Sequence, residues 1–463
     1  MPNSNTAAIV TALEAVVEAG SPGDRLPSVR ELMARHRAGP ATVQQAIATL
    51  SARGLVEARP GRGTFVAPRA APAVADSSWQ TVALGARAID ADALETLLRP
   101  PAPDAFVLSS GYLPADLQPT AALGSALARA ARRPGAWDRV PLEGIAGLRS
   151  FFAAEVGASP GDVLICPGGQ AGLAACLRGL TAPGSPVVVE APTYLGALTV
   201  ARAQGLVPVP VPTDDRGVRP ELLADALERS GARLVYLQPI HANPHGATLA
   251  VERRAAVLDA VRAANAFLIE DDAFRDLSFG PAPPPLFGDD PDGHVVQVRS
   301  LTKPAAPGLR IGAVIARGPA LARLRAARIV EDLYVPGPLQ EAALELVGTP
   351  AWRAHLRRLR RVLRERRDAL AAAWGGPIRL PDGGMNLWLP VEGGRFGIDA
   401  RYHGSSGAAR AAQQKARLER VHVYATVRDD EDGGATLRLG PLAHQAAWVA
   451  IEAFLGRPLD ASP

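Results

Sequence analysis

The sequence predicts an α/β protein in two parts: a small helical segment closed by a β-hairpin, and a large unit built on a mostly parallel sheet with helices on both faces. Three observations predict it. Beyond about residue 105, short apolar runs alternate with segments of helical period. The first 68 residues hold three short helix patterns, then two strand patterns around a glycine turn. Between these parts the composition shifts to Ala, Pro and Ser, as in a linker. The boundaries are residues 1–68, a linker over 69–104 that includes a short helix, and 105–463, with a smaller α/β subdomain from about 340. At 463 residues the chain is too long for one typical domain.

Composition narrows the class. Apolar residues make up 48% of the chain, ample for large cores. No uncharged apolar run reaches the length of a membrane-spanning helix. Met1 to Ala19 carries Glu14 and Glu18 and no basic cluster, unlike a secretory signal. Cys166 and Cys176 lie in an apolar Gly/Ala-rich stretch without ligand partners nearby, so neither a disulfide framework nor a metal site is expected. A cytoplasmic protein fits. The basic excess, 50 Lys+Arg against 46 Asp+Glu, is mild and does not by itself imply nucleic acid. Only two basic residues are lysine, Lys303 and Lys415. Where arginine supplies nearly all positive charge, a remaining lysine is a candidate for chemistry that needs a deprotonatable amine.

In the first segment Ala8, Ile9, Leu13, Val16 and Val17 fall at helical spacing, and Gly20 and Pro22 stop that helix. Ser28 and Glu31 form a capping-box start for a second helix, broken by Gly39 and Pro40. Ala41 to Leu50 reads as a third. Leu55–Ala58 and Thr64–Val66 flank the turn Arg59-Pro60-Gly61-Arg62-Gly63 and read as a hairpin. Three helices and a hairpin describe a winged helix-turn-helix. In it the third helix would be the recognition helix, with Thr42, Gln44 and Gln45 reaching base edges or phosphates. Arg62 at the hairpin tip would meet phosphate or a minor groove, with Arg30 and Arg53 as further phosphate contacts.

A helix is expected over Asp90–Leu98, followed by a loose Pro-rich stretch to Asp104. The apolar runs Val187–Glu190, Leu234–Leu237, Phe267–Glu270 and Val295–Val298 are expected strands of the large unit. A lone lysine is most often a solvated surface residue, but the surroundings of Lys303 argue otherwise. It follows a strand, with Ser300 and Arg310 close in sequence, and suits an imine with an aldehyde whose phosphate needs partners. Glu270, Asp271 and Asp272 stand at another strand's C-terminal end, where open α/β sheets bind ligands. A carboxylate there would keep a pyridine nitrogen protonated. Pro167, Gly168, Gly169 and Gln170 open a helix after the strand Val163–Ile165, a phosphate-binding arrangement. Tyr194 would stack on a flat ring, Asn243 would reach a phenolic oxygen, and Arg438 would hold a carboxylate by a two-pronged contact.

The string Pro22-Gly23-Asp24-Arg25-Leu26-Pro27-Ser28-Val29-Arg30-Glu31-Leu32, with Thr42-Val43 and Gly61-Arg62-Gly63-Thr64-Phe65-Val66, resembles the GntR family of bacterial repressors over about sixty residues. The resemblance implies a winged helix bound to double-stranded operator DNA. Ala38-Gly39-Pro40-Ala41 departs from the family's more usual Ser-Arg pair before the threonine, which bears on base preference.

From about Phe106 to the C-terminus the order of motifs resembles fold-type I, class I aminotransferases. That resemblance implies pyridoxal 5'-phosphate as cofactor and Lys303 as its Schiff-base lysine. It places Asp271 against the pyridine nitrogen, Asn243 near the ring oxygen and Tyr194 on the ring. Gly168, Gly169, Gln170, Ser300 and Arg310 would surround the phosphate, and Arg438 would bind a substrate or effector carboxylate. Ser110-Gly111-Tyr112-Leu113-Pro114 looks like the family's substrate loop, which brings in Gly111, and Gly383-Gly384-Met385-Asn386-Leu387-Trp388 like its small-domain strand. A GntR-type segment joined to such a domain is the MocR arrangement. This implies a homodimer with each winged helix packed across the partner.

Four positions depart from the pattern. Phe274 stands where the family usually has a tyrosine that tunes the imine. Asp138-Arg139-Val140 stands where a tyrosine for the partner's phosphate is expected, leaving Arg139 as a substitute. His245 replaces a common threonine, and Pro167 takes the place of a hydroxyl residue. Three readings stay open: a regulator sensing an amino compound, an aminotransferase carrying a DNA-binding segment, and a cofactor-free scaffold or effector domain.

Overall fold

The computed structural model describes residues 4–68, 80, 105–107, 111–374, 378–391, 394–399, 425–429 and 435–439. The chain divides into two units, Met1–Arg87 and Ala88–Pro463. The helix expected over Asp90–Leu98 lies outside the described residues. Among the described residues no helix is long and apolar enough to cross a membrane.

The first unit holds helices α1 (Ser4–Ala19), α2 (Val29–His36) and α3 (Pro40–Ala52), then strands β1 (Val56–Arg59) and β2 (Gly63–Val66). Its core gathers Ile9, Leu13 and Val17 from α1, Leu32 from α2, Val43, Ala46, Ile47 and Leu50 from α3, and Val56 and Val66 from the hairpin. Ala8 and Val16 do not join it; both are exposed. Each sits one residue, about 100° of helix turn, ahead of a buried position and so falls off the apolar stripe. Ser28 and Glu31 close the expected capping box: the Ser28 side chain accepts from the Glu31 backbone, and the Glu31 carboxylate accepts from the Ser28 N–H at 2.7 Å. α2 ends at His36, closed by Arg37 at φ +47°, ahead of the expected Gly39–Pro40 break, and Pro40 instead starts α3 at a position where no N–H is needed. β1 and β2 pair antiparallel, and the segment before α2 extends the ribbon through Leu26 N–H to Thr64 O (2.8 Å).

The second unit carries β3 (Ala105–Val107), α4 (Thr120–Ala131), α5 (Ala146–Val156), β4 (Val163–Cys166), α6 (Gly169–Gly179), β5 (Pro186–Ala191), α7 (Leu195–Ala203), β6 (Val207–Asp214), β7 (Gly217–Val218), α8 (Pro220–Ser230), β8 (Leu234–Leu237), α9 (Val251–Ala263), β9 (Phe267–Asp271), β10 (Val295–Ser300), β11 (Gly312–Ile315), α10 (Gly318–Asp332), α11 (Gly337–Val347), α12 (Pro350–Trp374) and β12 to β15 (Asn386–Val391, Gly394–Asp399, Ala425–Asp429, Ala435–Leu439). Eight strands form one sheet in the order β4-β11-β10-β9-β8-β5-β6-β7. β10, β9, β8, β5 and β6 run parallel. β11 is antiparallel to both its neighbours, β10 and β4, so β4 runs with the parallel set. Side chains alternate between two buried clusters, one on each face. Val163, Ile165, Val188, Val235 and Leu268 go to one, and Leu164, Cys166, Val187, Val189, Leu234 and Ile269 to the other.

The subdomain expected from about residue 340 borrows a strand from much earlier in the chain. β3 pairs with β14, which pairs with β15, giving a three-stranded antiparallel sheet. Both cysteines are buried and free of disulfide. Burial pushes the Cys166 thiol up to about 12 and the Cys176 thiol well above its ordinary value.

Candidate functional site

On the first unit, α3 buries Val43, Ala46, Ile47 and Leu50 and turns Gln44 and Gln45 outward, with Thr42 half-buried beside them. Arg30 on α2 and Arg62 at the wing tip are exposed. Gly61 and Gly63 have φ of +73° and +114°, a conformation glycine adopts without strain, and they hold Arg62 at the turn. Arg53 is exposed and pairs with Glu14 at 2.6 Å on the surface of the unit.

In the second unit β4, β5, β8, β9 and β10 all deliver their C-terminal ends to one edge of the sheet, and a cleft opens there. Its lining includes Gly169, Gln170, Tyr194, Asn243, Asp271, Ser300, Lys303 and Arg310, eight positions singled out in the sequence. After β4 the backbone turns at Gly168, with φ +86°, and α6 begins at Gly169 with no side-chain cap. A Cβ on Gly168 would stand 2.8 Å from the Arg310 guanidinium carbon, and one on Gly169 3.3 Å from the Ser300 Cβ. The φ of Gly168 calls for glycine, and the missing side chains leave room for the guanidinium and the serine beside these N–H groups. Arg310 is anchored by donating to the Pro167 carbonyl at 2.9 Å, so Pro167 contributes its backbone where a hydroxyl was expected. An oxyanion at this corner meets backbone N–H groups, a hydroxyl and a guanidinium.

The three carboxylates at the end of β9 separate by the period of the strand. Asp271 faces the cleft and accepts from Tyr236 Oη at 2.7 Å and from the Gln238 amide at 3.1 Å. Burial pushes its carboxyl above the usual range, while the two donors and the Lys303 charge pull it back. Burial also keeps the Tyr236 phenol protonated, as a donor. Glu270 turns away to accept from Leu286 N–H (2.8 Å) and Phe287 N–H (3.0 Å); burial raises it to about 7. Asp272 is held by Arg275 and by the Gln297 amide at 3.0 Å. Glu190 at the end of β5 accepts from Gln238 N–H at 2.8 Å, and burial pushes its carboxyl up to about 8.

Lys303 Nζ donates to the Gly111 carbonyl at 2.8 Å and stands 4.4 Å from the centre of the Tyr112 ring. Phe274 offers its ring at 5.8 Å. Tyr194 donates its hydroxyl to Gln170 Oε1 at 3.1 Å, and a Cβ on Gly196 would meet the Tyr194 ring at 2.3 Å, so Gly196 fixes where that ring lies. Among the described residues the buried amide oxygen of Asn243 and the buried hydroxyl of Thr302 have no protein partner. The glycine cradle and these orphaned atoms fit a flat, polar, phosphate-bearing group.

Other expected residues lie elsewhere. Arg438 stands on β15 opposite Thr426, and its side chain is outside the described residues. Arg139, expected to serve the partner's phosphate rather than its own protomer's cleft, is exposed. His245 accepts from Ala247 N–H at 3.2 Å within its own turn. Sequence reasoning missed Tyr236 and Gln238 as the partners of Asp271. Tyr236 sits inside an apolar run and reads as core, whereas Gln238, polar at the end of a buried strand, was a usable signal.

The class I and II aminotransferase family matches residues 103–443, and the GntR family of bacterial regulatory proteins matches residues 6–66. The 2-aminoadipate transaminase of Thermus thermophilus is 33% identical over 331 residues, 68% of this chain and 83% of that protein. The HTH-type transcriptional regulator YdcR of Escherichia coli is 30% identical over 410 residues, 82% of this chain and 86% of its own length. Among solved structures, LysN of Thermus thermophilus, an α-aminoadipate aminotransferase complexed with N-(5'-phosphopyridoxyl)-L-leucine, superposes with a TM-score of 0.64 at 30% identity over 70% of this chain and 93% of that one. The chain therefore belongs to the class I and II aminotransferase family and, with a GntR-type winged helix ahead of that domain, to the MocR-type transcription regulators.

Proposed function

We propose that the second unit binds pyridoxal 5'-phosphate at the sheet-edge cleft and uses it to sense an amino compound, and that the first unit carries this signal to operator DNA. The observation that carries this reading is the convergence of Lys303, Asp271, Gly169, Ser300 and Arg310 on one cleft. When bound, the cofactor supplies an aldehyde that takes up amines and a ring that withdraws electrons. Lys303 is the amine placed to anchor it. Asp271, fixed by Tyr236 and Gln238, would hold a proton on the ring nitrogen. Gly168, Gly169, Ser300 and Arg310 would bind the phosphate, Asn243 the ring oxygen, and Tyr194 would lie against the ring. Arg438 would take the effector's carboxylate, and Gly111 would line its entry.

On the first unit Thr42, Gln44 and Gln45 would read bases while Arg30 and Arg62 meet phosphates. A homodimer with exchanged winged helices would pool two such faces. Any effect of the amine on operator affinity must come from unequal binding to two states. The test is a visible spectrum of wild type and Lys303→Ala with added pyridoxal phosphate, followed by operator titrations against candidate amines. A band in wild type alone, and an operator shift with at least one amine, are expected. No band in either protein refutes the cofactor reading.

A second reading, turnover as an aminotransferase, draws on the retained Asp271 with its two donors. Phe274 counts against it, because that ring has no phenol to donate to the cofactor. Sustained transamination with a keto-acid acceptor would favour it.

A further inference from the structure

The amine of Lys303 meets the loop that carries Gly111 and Tyr112. Gly111 gives its carbonyl at 2.8 Å, and Tyr112, the next residue, gives the face of its ring at 4.4 Å. Gly111 has φ +64°, and a Cβ there would be in ordinary contact with Nζ at 3.7 Å, so the backbone turn rather than space calls for glycine. The loop is pinned on its far side by Leu113 and Leu117, which pack with Phe274, Leu359, Leu363 and Met385. On its near side the chain leads back to β3.

A carbonyl oxygen and an aromatic face both favour a cation. Neither offers as much to a nitrogen that has lost its charge or carries a bulky substituent. The geometry points to the Gly111–Tyr112 loop as a receptor for the free, protonated form of Lys303, so that the loop is held when Lys303 is free and released when Lys303 is engaged with the cofactor. We infer this on the premise, stated above, that Lys303 is the cofactor's anchor.

The receptor gives an amine effector a direction in which to work. The incoming amine would bond to the carbon that Lys303 holds as an imine, the Lys303 nitrogen would leave that carbon, and every N–H hydrogen the incoming ammonium sheds in becoming an imine would pass to Lys303, which departs as an ammonium. No oxidant or reductant is needed. The released ammonium returns to Gly111 and Tyr112, so displacement gains two contacts that the effector itself does not make. Tyr112 is thus a positioning residue: it acts on the cofactor through Lys303.

The test uses the full-length protein and pyridoxal phosphate. Tyr112→Leu removes the ring face that stabilises free Lys303, so cofactor affinity, read from the visible band, is expected to rise about threefold to tenfold. Tyr112→Phe keeps the face and is expected to match wild type. Loss of an ordinary lining residue would weaken binding, so the sign separates the two roles. Unchanged or weaker binding in Tyr112→Leu overturns the proposal, as does a Tyr112→Phe that behaves like Tyr112→Leu. Should Tyr112→Leu fail to fold, hydrogen exchange decides. Exchange over residues 111–113 is expected to speed up when cofactor is added to wild type, and to be equally fast in Lys303→Ala without cofactor. Exchange unchanged in both overturns the proposal. A wild type with no visible band brings down the Lys303 premise and this inference together. A normal band over an indifferent loop overturns this inference alone.

Discussion

Arg299 precedes Ser300 on β10 and carries no exposed surface. It donates to both oxygens of Glu155 (2.9 and 3.0 Å), to Asp276 (3.2 Å) and to the Asp272 carbonyl (2.8 Å). Arg299→Met keeps much of the volume and removes every donor. Breaking a buried ion pair from one side costs about 3–5 kcal/mol, because the remaining charge stays buried. Glu155 keeps 21% of its side chain exposed, which favours the lower end, about 3 kcal/mol. The loss should depend on pH. Burial raises Glu155 and Asp272 above the usual carboxylate range; the Arg299 charge pulls both down, joined at Asp272 by Arg275. Without it they rise further. A carboxyl whose folded value lies above its unfolded one weakens the fold as pH climbs past the unfolded value, since only the unfolded chain then ionises freely. The deficit is therefore expected to be largest near about pH 8 and to narrow toward about pH 5. Urea unfolding of wild type and variant at both pH values measures it. A deficit below about 0.5 kcal/mol at the higher pH, or one that ignores pH, would refute the reasoning.

Three further outcomes are expected. Gly168→Ala forces a side chain into a φ of +86° and against the Arg310 guanidinium, so pyridoxal phosphate affinity should fall about tenfold, read by spectral titration; equal affinity would show that the corner is not the phosphate site. Glu190, at about 8 in the fold against its ordinary 4.5, costs wild type stability as pH rises between those values, because only the unfolded chain gives up the proton. Glu190→Gln removes that loss, so its stability relative to wild type should improve from about pH 5 to about pH 8; a constant difference would contradict the assignment. Arg62→Ala should reduce the slope of log affinity against log salt by about 0.9 on operator DNA, the share of one phosphate contact, and an unchanged slope would take Arg62 off the DNA face.

What the sequence made legible was chemistry confined to a few neighbouring residues. The Ser28–Glu31 cap, the glycines around Arg62 and the turn at Gly168 each involve residues close enough in the chain to be read together. Strand β6 hid behind its composition. Val207–Asp214 has proline at 208, 210 and 212, which normally argues against a strand. Because alternate residues point their N–H groups to the same side, all three missing donors fall on one side, and the other remains free to pair with β5. The carboxylates of β9 looked equivalent in the sequence. Their separation depends on what the fold brings to each face: Tyr236 and Gln238 to Asp271, the Leu286–Phe287 turn to Glu270, Arg275 and Gln297 to Asp272. Apart from Arg275, three residues after Asp272, none of those partners is local. Tyr112 was visible only as part of a loop motif, and its position over Lys303, nearly two hundred residues on, is a product of the tertiary fold.

The two buried thiols have a practical consequence. With Cys166 pushed up to about 12 and Cys176 well above its ordinary value, almost no thiolate exists at neutral pH, and neither sulfur meets solvent. Alkylating reagents and peroxide attack the thiolate form, so both residues should stay silent in the folded protein. A cysteine introduced on the outer side of α3 or at the wing tip would then be the reactive one, and a fluorophore there would report operator binding without first stripping out the native pair.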